Sequence, residues 1–222
     1  MSTLHTFDAP LRVAGFELGA RMTVVDIGGD LLLYSPIDVD EAQVAALGNP
    51  RWVVAPNTMH HLFIGPWMER GLESWAPPAL QEKRSRLRFD HLITEPCEPF
   101  GPDVQLIPLH SFPKMSEIVL HHRPSRTLVV ADLVFNFPKD AEWKTRALMW
   151  ACGAYPGCRA SLIERFGMKR EVAAREIAHL LTLDFDRIVL SHGAIVERDG
   201  REALRRAYHW LKLDTDAALL GA

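Results

Sequence analysis

His60 and His61 stand side by side just beyond an apolar run, Trp52-Val53-Val54-Ala55. A second run, Thr127-Leu128-Val129-Val130-Ala131, leads into Asp132. A third, Arg187-Ile188-Val189-Leu190, leads into Ser191-His192-Gly193, and a fourth, Val104 to Leu109, leads into His110. Neutral imidazole nitrogen and carboxylate oxygen are good donors to zinc, iron or manganese. A catalytic metal takes a few protein ligands and keeps one position for water, whose pKa it lowers toward neutrality. Apolar runs that each deliver such a donor where the strand stops point to one site at one edge of a sheet. Each residue also has a plainer reading. The histidine pair could open a helix and bind backbone groups, Asp132 could cap the segment after it, and His192-Gly193 could be an ordinary strand-end turn.

The elements that must carry these residues follow from pattern. Leu11 to Leu18, Met22 to Ile27 and Leu31 to Tyr34 read as strands, with a Gly28-Gly29-Asp30 hairpin between the last two. Asp38 with Glu41 resembles a capping box that opens a short helix through Ala46. Trp52 to Ala55 is apolar throughout, as a strand buried on both faces would be. Prolines break up residues 62 to 103, leaving short helices near Trp67-Met68-Glu69-Arg70 and Ala79 to Lys83. Strands return at Val104 to Leu109, Glu117 to Leu120 and Thr127 to Ala131, with a turn at Pro124-Ser125. Helices are expected over Lys139 to Ala151, Arg159 to Phe166 and Met168 to Leu181, where Ala173, Ile177, Leu180 and Leu181 share a face. One more strand, Arg187 to Leu190, precedes a closing helix that buries Leu204, Ala207, Trp210 and Leu211.

Bulk properties narrow the function classes. The chain has 222 residues, 48% hydrophobic and 24% charged, with a net charge of −3. That balance argues against a general nucleic-acid or anionic-membrane binder. No apolar run approaches the ~20 residues that cross a bilayer, and Met1 to Asp8 lacks the pattern of a secretion signal. Cys97, Cys152 and Cys158 form no C-x-x-C pair, which fits a reducing compartment. The expectation is a soluble cytoplasmic protein with a small-molecule substrate. Lys83, Arg84, Arg86 and Arg88, with Glu82 and Asp90 nearby, read as a solvated face, with anion binding as the alternative.

The order and surroundings of the candidate donors resemble the metallo-β-lactamase superfamily. Its signature is a strand followed by H-x-H-x-D-H, a later G-H-T-P-G-like turn, a strand ending in G-D, and a strand ending in a last histidine. Here the corresponding stretches are Pro56-Asn57-Thr58-Met59-His60-His61, Leu109-His110-Ser111-Phe112-Pro113, Ala131-Asp132 and Ser191-His192-Gly193. The chain looks more similar still to a branch of that superfamily in which A-P-N-x-x-H-H-L-F, here Ala55 to Phe63, replaces the signature. The resemblance spans residues 20 to 212. It implies an α/β fold, an αββα sandwich of two mixed β-sheets flanked by helices, as one domain over residues 1–222.

The resemblance also implies how the site is altered. Pro56 and Thr58 stand where the family has its first two histidines, so most of one metal site is missing. His60 stands at the signature aspartate, while His61 keeps the final signature histidine. A remodelled site would draw on His60, His61, Asp132 and His192, with His110 as a further ligand at longer reach. The expected cofactor is one divalent metal ion, zinc first, with iron or manganese as alternatives. The expected function is a metal-dependent hydrolase with an altered, mononuclear site. Its competitor is a binding or structural member of the fold that has lost the metal.

Overall fold

Alternation of apolar side chains, which a strand turns to opposite faces, builds this molecule in layers. The computed structural model describes residues 2–213. The first sheet contains β1 (Thr3–Ala9), β4 (Ala20–Ile27), β5 (Asp30–Tyr34), β6 (Asn49–Val54), β7 (Glu73–Ala76) and β8 (His91–Leu92), in that order. A small hairpin of β2 (Arg12–Val13) and β3 (Phe16–Glu17) lies between β1 and β4 in the chain. β1, β4 and β5 run antiparallel, and β5 through β8 run parallel. The second sheet has the order β12 (Arg187–Leu190), β11 (Thr127–Val130), β10 (Ile118–His122) and β9 (Val104–Pro108). Only its β11–β12 pair is parallel.

One set of side chains packs between the sheets: Val25, Leu32, Tyr34 and Val54 from the first, Leu106, Ile118, Leu120, Val129 and Val189 from the second. The alternate residues face outward. Met22, Val24, Leu31, Leu33 and Val53 meet α1 (Glu41–Ala45), α2 (Ile64–Glu69) and α3 (Pro78–Lys83). Val119, Leu128, Val130, Ile188 and Leu190 meet α6 (Arg170–Thr182) and α7 (Gly200–Ala207). Two further helices, α4 (Trp143–Ala151) and α5 (Leu162–Gly167), follow the second sheet's central strands in the chain. This is the αββα sandwich of two mixed sheets. Among the described residues no helix is long and apolar enough to cross a membrane.

Local chemistry explains the boundaries. Gly28 and Gly29 take φ of 68° and 95°, the left-handed pair that a tight hairpin between right-twisted strands requires. α1 is capped by Asp40, whose side chain accepts from the Ala42 N–H at 3.0 Å. Asp38 is not the cap, because the residue directly before the first helical turn is the one placed to reach it. The run Leu11 to Leu18 is split by Ala14 and Gly15, both at positive φ, so it folds into the small hairpin rather than one strand. α4 begins at Trp143 rather than Lys139, since the chain first turns at Ala141, whose N–H donates to the Pro138 carbonyl. β1, β7 and β8 are strands that the apolar pattern did not single out; β1 and β8 are only partly buried or exposed. α5 opens with a capping box in which Ser161 and Glu164 exchange side-chain and backbone bonds.

Leu32 and Tyr34 join the two sheets, and the Tyr34 hydroxyl donates to the Ile118 carbonyl at 2.7 Å. Leu32→Ala is expected to destabilise by about 2–5 kcal/mol and Tyr34→Phe by about 1 kcal/mol, both read by chemical denaturation. Glu164 is buried at 1% exposure. Burial first, then the Ser161 cap pulling the other way and the nearby Asp132 and Glu117 charges, leave its carboxyl well above the ordinary 4.5. The folded state therefore keeps this proton where the unfolded chain has lost it, and stability falls as pH rises above about 4.5. Glu164→Gln keeps the cap and removes the proton. Its stability gain over wild type should be larger at mildly alkaline than at mildly acid pH.

Candidate metal centre

Three strand ends of the two sheets converge on one point. After β6 the chain turns through Ala55-Pro56-Asn57, and the Asn57 side-chain carbonyl accepts the N–H groups of Met59 and His60 at 2.8 and 2.9 Å. This local cap, of the kind asparagine favours, sets the direction of His60. The other end of the same amide donates to Asp132 Oδ2 at 2.8 Å. Asp132 follows β11. Its backbone N–H and those of Ala131 and Leu133 all donate to the Glu117 carboxylate, at 2.9, 2.8 and 3.3 Å. His192 follows β12 in a turn clamped by Arg21, which donates to the carbonyls of Leu190 and Gly193, each at 2.8 Å. Gly193 sits at φ 97°, and a Cβ there would lie 2.5 Å from the Asn136 carbonyl oxygen. The turn that aims His192 therefore needs glycine.

His60, Asp132 and His192 place one ligand atom each within 4.8 Å of the others. His60 Nε2 lies 3.2 Å from Asp132 Oδ2 and 3.2 Å from His192 Nε2. His192 Nε2 lies 3.6 Å from Asp132 Oδ1. Donors at about 2.0–2.1 Å around a tetrahedral zinc stand about 3.4 Å apart, so these separations fit a single ion. The tautomer fits as well. His192 Nδ1 is 2.7 Å from the Gly19 carbonyl, which can only accept, so Nδ1 carries the proton and Nε2 presents its lone pair. His60 Nδ1 is 2.8 Å from the Ser35 hydroxyl. His192 Nε2 thus presents its lone pair to His60 Nε2, where a proton on His60 or a cation can meet it and the Asp132 carboxylate.

Burial alone would raise Asp132, but His60, His192 and the Asn57 amide hold it below the usual carboxylate range. Burial alone would lower His60, and the Asp132 charge overcomes it and raises the imidazole. His192 is lowered by burial, with Asp132 opposing. Glu117 is pushed up to about 7 by burial and by the Asp132 charge, against the pull of the backbone N–H groups it accepts.

The other two sequence candidates lie outside this cluster. His61 accepts from Arg84 Nε at 2.6 Å, and its Nδ1 has no partner. It borders the same cavity as the cluster without joining it. His110 is exposed, with its backbone N–H on Glu176 at 2.6 Å, and borders a different cavity. Pro56 and Thr58 are structural: the Pro56 carbonyl accepts the Ile118 N–H at 2.7 Å and the Thr58 hydroxyl donates to the Lys114 carbonyl at 2.8 Å. His121 and His122 are buried away from the cluster, His121 against the Asp184 carbonyl and His122 between Ser2 and Ser125. Trp67 and Trp143 do not border the cavity. Asn57, Glu117, Arg21 and Ser35 were not singled out from sequence. Two had a visible signal: Asn57 sits one turn before the histidines, and Glu117 opens an otherwise apolar strand.

The cluster opens into a cavity of about 520 Å³ with largely apolar walls, among them Leu18, Ile37, Phe63, Phe135 and Met149. That volume suits a small organic molecule.

No family model matches the sequence, and no curated protein is detectably similar to it. Solved structures are similar in fold. The metallo-β-lactamase FIM-1 from Pseudomonas aeruginosa, in its mono-zinc form, superposes with a TM-score of 0.63 at 12% identity, covering 94% of this chain and 91% of that one. DIM-1 metallo-β-lactamase gives 0.66 at 12% identity, covering 95% and 92%. A metallo-β-lactamase from Hirschia baltica gives 0.63 at 13% identity, covering 95% and 93%. The chain thus has the metallo-β-lactamase fold.

Proposed function

We propose that this chain is a metal-dependent hydrolase of a small-molecule ester, thioester, amide or phosphoester, working through one ion held by His60, Asp132 and His192. The observation that carries this reading is the convergence of three buried donors at separations suited to a single ion. Three protein ligands leave a coordination position free, as catalytic rather than structural sites do. A divalent metal held there supplies a coordinated water of lowered pKa and polarises a substrate carbonyl or phosphoryl oxygen.

The chain's own groups prepare that site. The Gly19 carbonyl keeps the His192 proton on Nδ1. Asn57 and Glu117 fix the two sides of the Asp132 loop. The ligand side chains are themselves largely buried, which strengthens the charge interactions among them. Likeness to an enzyme crystallised in a mono-zinc form supports a single zinc, and two histidines with one carboxylate suit iron as well. The three free cysteines support a cytoplasmic location, and the net charge of −3 supports a small-molecule substrate rather than nucleic acid. The competing reading, a non-catalytic member of the fold, draws on the His60–Asp132 pair, which can satisfy itself with a proton.

Elemental analysis of protein purified without chelators or a nickel column decides between them. One equivalent of zinc, iron or manganese is expected, and a metal-free protein would remove the hydrolase reading. Asp132→Asn and His192→Ala should each abolish stoichiometric binding, while His110→Ala should leave it intact. Glu117→Gln tests the support of Asp132. An amide cannot accept three N–H groups as a carboxylate does, so metal affinity should fall about 10- to 100-fold with a loss of stability of about 1–3 kcal/mol.

A further inference from the structure

The cavity above the cluster differs from a simple polar active site in two ways. First, its rim is apolar and exposed. Val13, Met59, Leu62 and Ile163 border it at 49%, 57%, 62% and 63% exposure. Four of the nine large apolar side chains that the described residues leave exposed thus border one opening. Scattered exposed apolar residues need no explanation, but a gathered set rimmed by charge marks a binding surface.

Second, the same rim carries two cations without a carboxylate partner among the described residues. Lys83 reaches the Thr58 carbonyl at 2.7 Å and the Met59 sulfur at 3.7 Å. Arg84 spends its Nε on His61. Both side chains border the cavity. Arg86 and Arg88 of the same run also meet no acid among the described residues, but only Lys83 and Arg84 border the cavity. An apolar chamber with an apolar lip and two unpaired cations is matched by one kind of ligand: an acyl chain that ends in an anionic group.

We propose that the site takes anionic amphiphiles, single molecules whose hydrocarbon chain lies in the cavity and whose carboxylate or phosphate is held by Lys83 and Arg84. This deepens the hydrolase reading by naming its substrate class, acyl esters or amides that carry a negative charge.

The test is equilibrium binding of decanoate, octanoate and decanol, each below its micellar concentration, to the purified protein before and after metal removal. Removing the metal keeps a carboxylate from answering through the ion alone. If the chain lies in the cavity, each methylene is worth about 0.8 kcal/mol, or about fourfold, so decanoate should bind roughly 15-fold tighter than octanoate. Lys83→Gln with Arg84→Gln should weaken decanoate about fivefold, the worth of an exposed charge contact, and leave decanol unchanged. Leu62→Ser and Ile163→Ser, at exposed positions, serve as folded controls and should weaken all three ligands. No decanoate binding, no dependence on chain length, or an equal loss for decanol in the cation variant would each overturn the proposal. Binding that disappears with the metal would overturn it too. Metal content is measured on the same samples. Protein that purifies with metal yet does not bind decanoate defeats this inference alone, and protein that purifies without metal yet binds decanoate defeats the hydrolase alone.

Discussion

Two carboxylates are buried close together at the end of the second sheet, and much of the site's architecture answers to their repulsion. Asp132 is kept ionised by two imidazoles and an amide. Glu117 is pushed up to about 7 by burial and by that charge, yet it accepts three consecutive backbone N–H groups of the Asp132 loop. A buried charge is tolerated only when paired or hydrogen-bonded. The sandwich therefore supplies donors to one acid and cationic or cation-binding partners to the other. The facing Nε2 atoms of His60 and His192, 3.2 Å apart, complete the arrangement beside the Asp132 carboxylate.

Pro56 and Thr58 have become part of the packing between β6 and the loop before β10, through the Ile118 N–H and the Lys114 carbonyl. The space around the remaining donors is bordered by Leu18, Ile37 and Phe135. A drier, more apolar chamber raises the worth of each remaining charge. It also shifts what the chamber can hold toward molecules with hydrocarbon to bury.

Legibility in the sequence varied with how local each determinant is. The β4–β5 hairpin was readable because two glycines must take left-handed angles between two apolar runs. β10, β11 and β12 were readable because they are buried on both faces. β1 and β8 were not, since half-buried edge strands draw much of their identity from the strand they pair with. In the site, His60, Asp132 and His192 stood out as donors at strand ends. His61 stood out equally, and the chain alone could not rank the two neighbours. Their separation came from the Asn57 cap, which turns His60 inward, and from Arg84, 23 residues further on, which takes His61.

Residue order and type therefore determined the layered fold class and the strands that end in an imidazole or a carboxylate, because each is written in patterns a few residues long. Tertiary structure decided which donors meet, that Glu117 underpins Asp132, that Arg21 clamps the His192 turn, and that Lys83 and Arg84 reach an apolar mouth. Each of these depends on bringing together residues from 14 to 172 positions apart, and such distances are set by the packing of the two sheets rather than by any local preference.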